Sequence, residues 1–228
     1  MRFLRTFSLL ALAVMPTAFC HAANFSFTGN FVNDDDVQAF VFNVGSTSTV
    51  TFETFSYAGG TNSAGQTIAR GGFDPILAVF SGTGNSAVYI NQNDDGGSLV
   101  PADPLTGEQY DTYLSTPLAP GTYTVSIMQY DNFANGPTFG DGFQEQGNPN
   151  FLNGVCTDNH FCDVSGVTPY NNRDTHWAFD IDGVNSATII PNPGPNPSPN
   201  PIPEPSTITL LGTGLIGAAG MLRRRFAR

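Results

Sequence analysis

The sequence contains no lysine. Between residues 23 and 203 its only cations are Arg70 and Arg173, against 18 Asp or Glu, a formal charge of −16. Phosphate recognition needs clustered Lys and Arg, so nucleic acid and anionic lipid are excluded as partners of this stretch. A body of this charge stays soluble and favours divalent cations. Histidine is nearly as scarce: beyond residue 22 only His160 and His176 remain. There is no G-x-S-x-G, no H-E-x-x-H and no glycine-rich phosphate loop on a strand–helix turn. A glycosidase needs two facing carboxylates; there are many Asp residues, but spacing in one sequence does not show which of them face each other. The chain therefore reads as a non-enzyme.

Cysteine is limited to Cys20, Cys156 and Cys162. Cys20 falls in an N-terminal leader. Arg2 and Arg5 form a basic start, "TFSLLALAV" a short apolar stretch, and "AFCHAAN" supplies small residues for cleavage after Ala22 or Ala23. That is the pattern of a secretory signal peptide over residues 1–22, too short for a membrane span. Cys20 suggests a lipoprotein, but Phe19 stands where a lipobox wants a small residue. Export leaves Cys156 and Cys162 as an even pair in an oxidising compartment, where a disulfide is the expected state. The rival reading is a metal pair with His160; C-x5-C is not a usual zinc spacing, and no second Cys/His pair exists.

Helical periodicity is absent from residues 23–190. In its place stand short alternating runs rich in Val, Phe, Tyr and Thr: "FSFTGNFV", "VQAFVFNV", "TVTFETF", "ILAVF", "AVYIN", "TYTVSIMQY" and "HWAFDI". Phe40, Phe42 and Val44 share one face, as do Val50 with Phe52, Tyr123 with Val125 and Ile127, and Trp177 with Phe179 and Ile181. Period-two alternation predicts strands, and "SGTG", "NDDGG" and "APGT" mark turns between them. Seven or more short strands predict one antiparallel β-sandwich or jelly roll. Two excursions, residues 57–74 and 131–175, are too irregular for strands, and loops of that length are functional, clamped or disordered.

After the sandwich domain, proline occupies every second position from Pro191 to Pro205. Each ring fixes φ and pushes its predecessor toward extended backbone, so residues 191–205 form a stiff spacer of about 45 Å. Residues 206–228 follow, with an apolar span from Thr207 to Leu222 and then Arg223, Arg224 and Arg225. As a helix the span measures about 24 Å, slightly short of a hydrocarbon core of roughly 30 Å. Gly212, Gly214, Gly217 and Gly220 weaken it further. The expectation is a transmembrane helix held briefly in the inner membrane, its arginines on the cytoplasmic side.

The strongest binding motif is "NQNDDGG", residues 91–97. Asn91, Asn93, Asp94 and Asp95 offer oxygens, and Gly96 takes the sixth place of a calcium loop. The twelfth place is Ala102 where a bidentate Glu belongs, and Asn-Asp-Asp-Gly is also a good turn sequence. Calcium is the expected cofactor if a metal is bound; Asp74 and the "NDDD" of residues 33–36 are further carboxylates near strand ends. Tyr57, Tyr89, Tyr110, Tyr113 and Tyr130 are candidate sugar-stacking rings, although most aromatics must be core.

The tail resembles the PEP-CTERM sorting signal: Pro203-Glu204-Pro205, an apolar span and an arginine cluster, in that order. The resemblance implies recognition by a membrane peptidase, exosortase, in Gram-negative bacteria that make exopolysaccharide. It implies cleavage near Pro203 to Ser206 and delivery to the cell surface or biofilm matrix. The body over roughly residues 24–131 is similar to the bacterial pre-peptidase C-terminal domain. The similarity rests on Asp74 and Leu77 of a D-x-x-L strand, the acidic turn Asn93 to Asp95, and Leu118, Gly121 and Tyr123 of an L-x-x-G-x-Y corner. It implies a non-catalytic β-sandwich module of a secreted protein. The expected function is a structural or adhesive component of an extracellular polysaccharide matrix. A carbohydrate-binding module with a discrete sugar site is the alternative, and a secreted hydrolase comes third.

Overall fold

The structure is a computed structural model, which describes residues 23–155, 161–163 and 172–191. The leader, the spacer beyond Pro191, the expected transmembrane helix, the sorting residues Pro203, Glu204, Pro205, Arg223, Arg224 and Arg225, and Cys156 lie outside the described residues. Among the described residues no helix is long and apolar enough to cross a membrane, and the only helical segments are two three-residue 3-10 turns.

The expected strands form, and they form a sandwich. In chain order they are β1 (Ala23–Asn30), β2 (Val37–Val44), β3 (Ser48–Thr54), β4 (Gly60–Thr61), β5 (Thr67–Ile68), β6 (Pro75–Ser81), β7 (Val88–Asn93), β8 (Tyr113–Leu118), β9 (Gly121–Gln129), β10 (His176–Val184) and β11 (Ser186–Ile189). One sheet has the order β1-β10-β3-β8 and the other β11-β2-β9-β6-β7, while β4 and β5 make a separate hairpin. All pairings between named strands are antiparallel.

Alternation sends the predicted faces inward. Phe40, Phe42, Val50, Phe52, Val125, Ile127, Trp177, Phe179 and Ile181 join one buried cluster between the sheets. Their rings meet tilted or edge-on: Phe40 lies 4.8 Å from Phe179 and 5.8 Å from Trp177, centroid to centroid. Such geometry sets the positive ring edge against a negative face. Gly29 on β1 leaves room for the indole; a Cβ there would stand 2.2 Å from Trp177 Cζ2. At the β8–β9 turn the Tyr123 hydroxyl donates to the Ala119 carbonyl at 2.8 Å, a tyrosine corner that closes "LAPGTY".

Alternation does not foretell the second face of either sheet. Ala178 and Asp180 alternate with Trp177, Phe179 and Ile181 and so lie on the other face of β10, yet both are buried. The cause is the β4–β5 hairpin, which folds over them: the Ser63 N–H donates to Asp180 Oδ2 at 2.7 Å and the Ala64 N–H to Ser26 Oγ at 3.0 Å. On the other sheet Ile76, Ala78, Phe80 and Met128 form a second apolar cluster with Ala134 and Phe143 of the loop after β9. The two excursions are therefore covers, one on each outer face.

Both arginines of the body converge on Asp103. Arg70 reaches its Oδ2 through Nε at 2.9 Å and Nη2 at 2.7 Å, and Arg173 through Nη1 at 3.1 Å. The N–H groups of Leu105 and Thr106 donate to Oδ1. The Arg173 side chain is fully buried, with its guanidinium carbon 3.4 Å from the centre of the Tyr57 ring. Burial works against the charge of Asp103, but Arg70, the two N–H groups and Arg173 outweigh it and hold the carboxyl at about 2. Its contribution to stability is therefore complete above about pH 4 and is lost as the pH falls toward 2. Asp103→Ala strands a buried guanidinium and is expected to cost about 3–5 kcal/mol. Chemical denaturation at pH 7 measures this; a loss below about 1 kcal/mol would show the cluster to be dispensable.

Candidate metal centre

Register brings three carboxylates together. β6 and β7 pair with Leu77 opposite Asn93. Asp74, just before β6, and Asp94 and Asp95, just after β7, therefore leave the sheet at the same end. One oxygen from each lies within 4.8 Å of the others. The entry to β8 closes the group from the side. The Gly96 N–H donates to the Asp111 carbonyl at 2.7 Å. The Thr112 hydroxyl sits between the carbonyls of Pro75 and Asp94, 2.5 Å from the latter.

The carboxylates meet too little compensation. Asp74 is 7 % exposed, and its Oδ1 has no hydrogen-bond partner, nor has Oδ1 of Asp94. Burial raises the Asp74 carboxyl well above the usual range, and Asp94, Asp95, Asp163 and Asp111 push the same way. Asp94 is raised to about 7 by burial, then by Asp95 and Asp131. Asp95 is raised by burial, Asp163 and Glu108. Tyr110 also feels this field: burial first, then Glu108, Asp163, Asp74 and Asp95, raise it to about 12. At neutral pH a proton or a cation must sit among the three aspartates to balance them. The donors are all hard carboxylate oxygens, which suit calcium rather than zinc.

The other predicted ligands fall differently. Asn91 is exposed, and its Oδ1 accepts from the Gln92 N–H. Asn93 acts as a tie, its Nδ2 donating to the carbonyls of Asp95 and Tyr113 at 2.9 and 2.8 Å. Asp94 and Asp95 are in the group. Asp74 is the member of the group that the spacing of residues 91–97 does not contain; its sequence cues were its place near a strand end and three residues before Leu77. Cys162 is buried. Of the candidate stacking rings, Tyr57 is buried, and Tyr89, Tyr110, Tyr113 and Tyr130 are half-buried.

Fold and site together define an antiparallel β-sandwich carrying an all-oxygen acidic centre. A match at the other end of the chain says where such a domain goes: residues 201–225 match the PEP-CTERM protein-sorting motif. The motif implies export through the membrane to the cell surface and processing by an exosortase membrane peptidase. No curated protein matches the chain.

The centre sets the pH response of the cation-free protein. Asp94 titrates near 7 when folded and near 4 when unfolded, so the folded state binds the extra proton between those values. Stability in chelator is then expected to fall as pH rises from about 4 to 7. Asp94→Asn should flatten this slope and raise the melting temperature at pH 8. A variant that melts below the parent across that range would show the carboxylate to be stabilised already.

Proposed function

We propose that the chain is an exported, non-catalytic surface protein of a Gram-negative bacterium, delivered to an extracellular polysaccharide matrix. The sorting motif at residues 201–225 carries this reading. The tail is read as a transient inner-membrane helix, cut near Pro203 to Ser206 after the spacer presents that segment in extended form. The body's likeness to the pre-peptidase C-terminal domain supports a non-catalytic module. A Cys156–Cys162 disulfide completes the exported form.

The surface favours a matrix component over a discrete sugar site. Among the described residues no aromatic side chain is fully exposed, so they present no open platform for ring stacking. They offer a groove of about 510 Å³ beside the β4–β5 hairpin, where Asn30, Gln66, Thr67 and His176 present polar groups. Such a groove suits diffuse hydrogen bonding along a polymer. On a glycan array, broad weak binding is the expected result, and one tight ligand would favour the carbohydrate-binding module instead.

The processing reading is tested in a host with the matching peptidase. Mature protein should lack every peptide after residue 206, and neutral replacements of Arg223, Arg224 and Arg225 should leave the protein in the inner membrane. Recovery of Arg223-containing peptides from most of the mature pool would show the tail to be a permanent anchor. Peptide mapping without reductant should find Cys156 and Cys162 cross-linked; two alkylatable thiols would overturn that pairing.

A further inference from the structure

We propose that Asp74, Asp94 and Asp95 bind one calcium ion, and that Asp74, from outside the Asn-Asp turn, is the ligand that makes the turn a site. The other buried carboxylates of the body show why Asp74 stands apart. Asp103 has two arginines. Asp111 accepts from Thr54 Oγ1 at 2.8 Å and from the N–H groups of Tyr57 and Ala58 at 3.1 and 2.8 Å. Asp34 accepts from the N–H groups of Leu152 and Phe161. Asp180 takes the Ser63 N–H on Oδ2, although its Oδ1 has no partner. Asp74 is as buried as these, and what sets it apart is that its bare Oδ1 belongs to a group of three carboxylates whose second member, Asp94, also leaves Oδ1 without a donor. A buried acceptor with no donor calls for an explanation, and a bound ion is one of the few available.

Geometry and chemistry select the ion. Calcium holds oxygens at 2.3–2.6 Å, so two of its ligands stand at most about 5 Å apart. The three aspartate oxygens lie within 4.8 Å of one another, so small side-chain rotations bring all of them to one ion. Three carboxylates supply three to six oxygens, and calcium's coordination of six to eight leaves places for water. Gln129, whose backbone pairs with Pro75 on the neighbouring strand, buries a further Oε1 that has no partner. Free calcium is scarce in cytosol and plentiful outside cells, so the ion would load after export and join the β6 start to the β7 end. The proposal rests on the body alone; a failure of the sorting reading leaves it standing.

The test uses the exported protein, stripped with chelator and titrated with calcium chloride alone. One ion per chain should bind, with Kd on the order of 10⁻⁴ M, as in extracellular modules. The melting temperature should rise with calcium concentration. Terbium alone should give luminescence sensitised through Tyr110 and Tyr130, and calcium should quench it. Asp74→Asn and Asp95→Asn should each weaken binding at least tenfold while melting in chelator no lower than the parent, and Asp141→Asn should bind as the parent does. Absence of calcium heat at millimolar concentration would overturn the site. So would parental affinity in both variants, or an equal response to magnesium, which would indicate general screening of an acidic surface. If either variant fails to fold, the terbium signal of the parent and its displacement by calcium still decide the outcome.

Discussion

Asp103 takes both cations of the body, and the charge balance of the domain follows from that one site. Arg70 comes from the end of the excursion that covers the first sheet, Asp103 from the connection between β7 and β8, and Arg173 from the approach to β10. Three segments distant in sequence are tied at one carboxylate, with the Tyr57 ring packed on the buried guanidinium. A buried ion pair gains little over an apolar replacement, but losing one partner is costly because the other charge stays buried. The pair therefore acts as a latch on segments that carry little regular structure of their own.

With both arginines committed there, each remaining buried carboxylate needs another donor. Asp111, Asp34 and Asp180 find backbone N–H groups and hydroxyls. These bonds exist because loops cross the sheet ends and bring their peptide groups inward. Asp74, Asp94 and Asp95 sit where β6 begins and β7 ends, and their own repulsion is the largest local feature after desolvation. The acidic composition of the chain and the absence of lysine thus meet at one place in the fold.

The strands were legible because alternation has a direct physical cause. In β2, β3 and β10 one face must leave water, and its Phe, Val, Trp and Ile residues declare which. The covers were not legible. Nothing in "TNSAGQTIARGG" says that it lies on Ser26 and Asp180, because its contacts are backbone N–H groups, which every sequence possesses. The loop after β9 gave a weak cue in Phe133, Phe139 and Phe143, whose target, the Ile76–Met128 face, is set by another strand pair. The cluster of three aspartates was half legible: Asp94 and Asp95 are neighbours in a turn, but Asp74 is twenty residues away in the chain.

The sequence by itself determined the all-β class, the inward face of each long strand, the acidic balance and the tail that matches a sorting motif. Each of these is a local property, carried by residue type and spacing within a few positions. Tertiary structure decided which carboxylates share a site, which arginines share Asp103, and which excursion covers which sheet. Those facts depend on register and on chain crossings. A register of Leu77 opposite Asn93 places Asp74 beside Asp94, and a shift of one residue would turn the strand's side chains to the opposite face.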